Sequence, residues 1–156
     1  MTRIRLSLGI LLVSALIVGG CSQDPTTDQL SIQYSSAGVS LEKRDGKTYA
    51  SVNAMVKLIN RTEQAMSVAF LEGTVIDAST KLALLRFRPI IPQSYGTISS
   101  AQLVPKQVKE VQVIAPPELD GFDAGKSPTV IVKIAFQTTK GYRTEVATGP
   151  ISVAVK

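Results

Sequence analysis

Histidine and tryptophan are absent from this 156-residue chain, and cysteine occurs once. Without histidine the usual general base is gone, together with His-dependent catalytic triads and the commonest transition-metal ligand. A single cysteine permits no intrachain disulfide and no multi-cysteine zinc site. Aromatics are few, four Phe and four Tyr, so a cleft lined by rings for a sugar or a lipid is poorly provided for. No glycine-rich phosphate loop leads into a helix. Paired carboxylates or a Ser–Lys couple are the catalytic chemistries left, and no spacing supports either. The chain reads as a non-enzyme with no cofactor and no metal.

What is present begins at the N-terminus. Arg3 and Arg5 precede an almost wholly apolar run over residues 6–18, then come Gly19, Gly20 and the only cysteine, Cys21. The run is too short and too weakly flanked for a membrane span and has the order of an export signal. Val18-Gly19-Gly20-Cys21 resembles the lipobox of bacterial lipoproteins: a branched apolar residue, two small residues and a cysteine. The resemblance implies that the Cys21 sulfur receives a diacylglyceryl group, that the signal is cut ahead of it, and that the new amine is acylated, with palmitate the expected chain. Residues 1–20 would then be a signal peptide, and the membrane a partner through lipidated Cys21. Three acyl chains make such an anchor effectively permanent, since each buried methylene contributes ~0.8 kcal/mol. Ser22 follows the cysteine, where Asp would imply inner-membrane retention. The resemblance therefore implies the outer membrane of a Gram-negative envelope, with the domain facing the periplasm. In a Gram-positive source the same anchor faces outward from the cytoplasmic membrane. An uncleaved apolar anchor, or an ordinary signal beside a free thiol, are the other readings of these residues.

Arg3 and Arg5 leave with the signal, so fifteen Lys and Arg face twelve Asp and Glu, a net charge of +3. That excess is too small to indicate nucleic acid, and export argues further against it. Residues 21–28 carry the lipidated cysteine and then a polar stretch with Pro25, a tether whose seven residues after the cysteine reach ~25 Å when extended. Residues 29–156 suit one domain with its own core.

From Leu30 the pattern has period two. Leu30, Ile32 and Tyr34 alternate with polar residues, and Val39 and Leu41 follow Gly38. Asp45-Gly46 between two such runs predicts a tight hairpin, because both turn positions favour positive φ. Ala50, Val52, Ala54, Val56 and Leu58 then share a face. A third strand is expected over 66–77 with a bulge at Gly73, a fourth over 81–88, and an irregular stretch over 90–100. Further strands are expected over 108–115, 129–139, 142–147 and 151–155. Asn60-Arg61-Thr62 matches a eukaryotic glycosylation sequon and is read as coincidence.

No segment after residue 28 sustains a helical period, and short strands joined by Gly, Pro and Asp turns indicate an all-β, antiparallel sandwich of seven or eight strands. The long strand from Tyr49 to Ile59, its Asn60-Arg61-Thr62 turn, and Leu103-Val104-Pro105-Lys106 before another strand resemble immunoglobulin- or fibronectin-III-like domains of small secreted bacterial proteins. Tryptophan and an inter-sheet cysteine pair, present in many such domains, are missing here. A closed β-barrel is the alternative.

Two places invite a functional reading. Arg86 and Arg88 are expected on one face of a strand, with Leu85 and Phe87 on the other, before Ile90, Ile91 and Tyr95 on a proline-stiffened loop. These five residues are the candidate partner-binding set, since Arg and Tyr are enriched at binding hot spots. The same segment also reads as an edge strand protected by charge and proline. Glu118, Asp120 and Asp123 around Gly121 offer hard oxygens but match no calcium loop, and a solvated turn is the preferred reading. Phe122 in that loop is either an exposed anchor or a cap on the core. Together these features describe a lipid-anchored structural or adaptor module that contacts another envelope protein. The alternative is a binding module for a small envelope ligand, a glycan or a lipid, in a cleft at one end of the sandwich.

Overall fold

The computed structural model describes residues 29–156. Two long strands open the fold, β1 (Leu30–Arg44) and β2 (Lys47–Asn60), joined at Asp45 and Gly46, whose φ angles are 50° and 77°. Positive φ at both turn residues gives the twist that lets the strands stay paired, and they do so from Arg44↔Lys47 to Leu30↔Asn60. One irregularity interrupts the ladder, between Tyr34 and Ser36. Ser35 is the extra residue, so the inward set switches from even positions (Leu30, Ile32, Tyr34) to odd ones (Val39, Leu41).

The remaining elements are β3 (Met66–Asp77), β4 (Ala83–Phe87), β5 (Ile91–Gln93), β6 (Gly96–Ile98), β7 (Ser100–Leu103), β8 (Val108–Ile114), β9 (Leu119–Asp120), β10 (Thr129–Thr138), β11 (Arg143–Ala147) and β12 (Ile151–Val155). The eight strands of five residues or more are the eight expected from periodicity. The stretch 90–100, expected to be irregular, instead contains the small β5–β6 hairpin and enters β7.

Two sheets result. In one, β8 pairs β2, β2 pairs β1, and short β9 pairs the start of β2. In the other, β10 pairs β3, with β4 and β7 sharing the outer side of β3 and β11 and β12 sharing the outer side of β10. Taking β1, β2 and β8 as strands A, B and E, and β3, β10 and β11–β12 as C, F and G, this is the two-sheet pairing of the immunoglobulin fold. The fold is an all-β, immunoglobulin-like sandwich. One pairing departs from an antiparallel arrangement: β12 runs parallel to β1 while antiparallel to β10. That strand stitches one flank of the sandwich closed, which gives the molecule some barrel character. On the opposite flank, among the described residues, the place of strand D is held by a bridge between Ile90 and Ile114.

The core lies between the sheets. Val56 and Leu58 from one sheet and Val68, Val75, Val130, Val132, Ile134 and Phe136 from the other have no exposed surface. These are the inward positions of a period-two pattern. Phe70 and Phe136 meet edge-on with ring centroids 5.0 Å apart, a geometry that adds about 1 kcal/mol beyond burial. Gly73 is not a bulge. The β3–β10 register instead slips between Ala135 and Phe136, where Leu71 is unmatched. Gly73 pairs with Phe87, and a Cβ at that position would clash with the Phe87 ring.

Candidate functional site

The segment from Arg86 to Tyr95 separates into three environments. Arg86 lies on β4, an edge strand, with its side chain 70% exposed and its Nη1 3.7 Å from Glu72 Oε1. A pair this exposed stabilises by at most about 1 kcal/mol. Arg88 is exposed too, and with Arg86, Leu71, Glu72 and Phe87 it rims a shallow depression. Phe87 turns the other way, into the core, as alternation predicts. Ile90 exchanges both backbone hydrogen bonds with Ile114, its N–H donating at 3.0 Å and its carbonyl accepting at 2.9 Å. Ile91 is only 8% exposed and belongs to the core, so it drops out of the exposed candidate set. The chain here runs along the flank beside β8. Tyr95 sits in the β5–β6 turn with its ring wholly in solvent (103% exposed).

That flank has an opening. On β8, Ala115 donates to Val52 and Asn60 donates to Gln107, so odd residues face β2, while Ile114 faces Ile90. The N–H and C=O groups of Glu110 and Gln112 therefore point outward, and they meet no backbone partner among the described residues. β5 would reach Gln112 next, at Pro92, but proline has no N–H to continue the ladder. On β7, Phe70 donates to Ser99, which turns Ser100 and Gln102 away from β3. Between the two edges lies a groove of about 360 Å³, lined among others by Ile91, Pro92, Ile98, Ala101 and Val111. Lys109, on the inward side of β8, places Nζ 3.3 Å from the Gln102 carbonyl and pairs with no carboxylate among the described residues.

A smaller hollow of about 180 Å³ lies at the end of the sandwich where Gln29 joins the domain, lined by Leu30, Met66, Thr138, Lys140 and Tyr142 among others. The Thr138 hydroxyl is buried and has no hydrogen-bond partner among the described residues. At the other end, Phe122 packs against the core and serves as a cap. Asp120 is used in β9, and the Asp123 carboxylate accepts the Gly125 amide at 2.9 Å. Among the described residues no three carboxylate, cysteine or histidine side chains gather within reach of one ion.

Two buried polar residues, Asn60 and Asp77, hold this framework. Asn60 is 1% exposed. Its Nδ2 donates to the carbonyls of Gln64 (2.8 Å) and Val104 (2.9 Å), and its Oδ1 accepts from the amide and hydroxyl of Thr62 (3.0 and 2.9 Å). All four hydrogen-bonding positions of the amide are used, which gives Asn60-Arg61-Thr62 a structural reason. Asp77 Oδ1 accepts from the Ser79 amide and hydroxyl and the Thr80 amide, at 2.8, 2.6 and 2.7 Å. Hydrogen bonds, first from the Ser127 hydroxyl and then from Ser79, hold its carboxyl well below the usual carboxylate range. Tyr34 crosses between the sheets, its hydroxyl 3.2 Å from the Val146 carbonyl. Burial, and secondarily the charge of Glu145, pushes its ionisation far above the ordinary tyrosine range.

Cys21 lies outside the described residues. No protein-family model matches the chain, and no curated protein matches it. Among solved structures it is similar to a FixG-related protein from Vibrio parahaemolyticus (14% identity, TM-score 0.43, over 81% of this chain and 97% of that one). It is similar also to the class 5 fimbriae chaperone CfaA (12% identity, TM-score 0.41, over 81% of this chain and 57% of that one). The PapD-like domain 7 of human CEP192 matches over 99% of this chain and 98% of its own length, at 9% identity and TM-score 0.39. Each is a distant likeness of shape, and the immunoglobulin-like assignment rests on the strand pairing described above.

Proposed function

We propose that this chain is a lipid-anchored envelope protein whose β-sandwich acts as an adaptor, holding another envelope protein by contact rather than transforming a substrate. The observation that carries the reading is Tyr95, an aromatic ring wholly in solvent at a hairpin turn, on the segment that also presents Arg86 and Arg88. An exposed tyrosine gains most from burial against a partner, because its ring is large, rigid and able to hydrogen-bond. The anchor is the lipid on Cys21, at the outer membrane with the domain in the periplasm if the source is Gram-negative.

Chemical cross-linking in intact envelopes tests this. One recurrent protein is expected, its capture reduced at least tenfold when Arg86, Arg88 and Tyr95 are all replaced by Ala. Capture that survives the triple replacement moves the contact elsewhere on the domain. The Cys21→Ser form, once cleaved, is expected to leave the membrane fraction. A second reading, a small-ligand module for a glycan or lipid, is favoured by the hollow beside Gln29 with its unpartnered Thr138 hydroxyl. It becomes the better account if no protein is captured at all.

A further inference from the structure

The two flanks of the sandwich are unequal in a way that suggests what completes the second. On one flank β12 pairs with β1 on one side and β10 on the other, so a single five-residue strand satisfies both sheets. On the other flank, among the described residues, no strand pairs with the outer side of β8 beyond the Ile90–Ile114 bridge, where β5 passes close by. The outward backbone groups of Glu110 and Gln112 on β8, and of Ser100 and Gln102 on β7, border a groove with an apolar floor. A row of alternating N–H and C=O groups is complementary to an extended backbone above any other ligand. We infer that this groove receives an extended segment of a partner protein as an added strand on β8, with an acidic side chain against Lys109 and an apolar one two residues away against Val111.

The side-chain preference follows from strand geometry. Lys109 and Val111 are two apart on β8 and both face inward, so the residues opposite them on an added strand are also two apart and on one face. Val111 lies beside Ile91, Ile98 and Ala101 in the groove, a place for an apolar side chain. Lys109 brings a cation whose sole hydrogen bond among the described residues is to the Gln102 carbonyl, and a carboxylate on the entering strand supplies the missing opposite charge. An inward-pointing lysine at a sheet edge is also a known guard against unwanted pairing. The two roles differ in what its removal does.

The inference rests on the adaptor reading and is tested separately from it. A photo-activated cross-linking residue is placed at Gln102 or at Gln112 in the full-length chain, and captured peptides from intact envelopes are sequenced. The same segment of one protein is expected from both positions, with an acidic residue two places from an apolar one. With the probe at Gln102, Gln112→Pro removes one outward N–H without touching the β2 ladder, and capture should fall at least tenfold. Lys109→Glu keeps every backbone group and should do the same, which covers the case in which the proline variant does not fold. Different segments from the two positions, or capture undiminished in both variants, overturns the inference. So does a Lys109→Met form that self-associates while capturing the partner as before, for that is the behaviour of a guard. If probes at Arg86 or Tyr95 capture a partner while the groove captures none, the adaptor stands and the added strand falls. If no position captures a protein, both fall.

Discussion

At the scale of single residues, the polar side chains worth most are the buried ones, Asn60 and Asp77. Asn60 joins the turn after β2 to the turn before β8 through four hydrogen bonds. Replacing it by Ala removes all four bonds and leaves the Thr62 amide without its acceptor, while the Gln64 and Val104 carbonyls keep a second donor each. The change should cost about 2 kcal/mol in urea denaturation, given roughly 1–3 kcal/mol for a buried group left unpaired. Asp77 adds a pH dependence. Its carboxyl stays ionised in the folded protein at pH values where the unfolded chain, with a value near ~3.9, takes up a proton. The unfolded state then binds more protons, so stability falls as pH drops below about 5. Asp77→Asn should be less stable than the parent at pH ~7, and the gap between their denaturation midpoints should narrow towards pH ~3. A constant gap would mean that the carboxylate's charge is not what the surrounding donors stabilise. Neither role was legible beforehand. Asn60 reads as a turn residue, and its burial depends on Val104, which is distant in sequence.

At the scale of elements, periodicity carried most of the information. The strands over 47–60, 66–77 and 129–138 show their inward faces in sequence, since a half-buried strand must alternate. The switch of parity between Tyr34 and Val39 was also visible in sequence, and the extra residue is Ser35. Glycine 73 misled because a glycine inside a strand signals either a bulge or a close approach, and only the cross-strand partner distinguishes them. Here the partner is Phe87, whose ring covers the bare Cα. Gly73→Ala should cost about 2–3 kcal/mol through overpacking. Gly73→Ala with Phe87→Leu should cost less than the two changes summed, as thermal or urea unfolding of the four proteins will show. Simple additivity would separate the two positions energetically. The β5–β6 hairpin was hidden because three-residue strands are too short to show a period, and the burial of Ile91 was hidden with it.

At the scale of the whole molecule, the sandwich followed from the number and spacing of strands, whereas the flanks did not. Which strand lies beside which is set by contacts distant in sequence, and nothing in residues 151–155 announces that they join both sheets. Nor does anything in 108–114 announce an open edge, although Lys109 in the same parity as Val111 and Val113 was a usable sign. The exposure of Arg86 and Arg88 was legible because charge and alternation predict it, whereas that of Tyr95 depends on the β5–β6 turn. The groove beside it depends on tertiary placement alone.

The long register between β1 and β2 also has a mechanical meaning. The chain enters the described domain at Gln29, directly before β1, and fourteen residue pairs then bind β1 to β2 while β12 grips its far half in parallel. Traction on the N-terminal side, directed along β1, loads those hydrogen bonds together in shear. A strand peeled sideways loses its bonds one after another; a strand dragged lengthwise must release many at once. Held at this end and loaded elsewhere, the domain would carry tension through its longest strand pair.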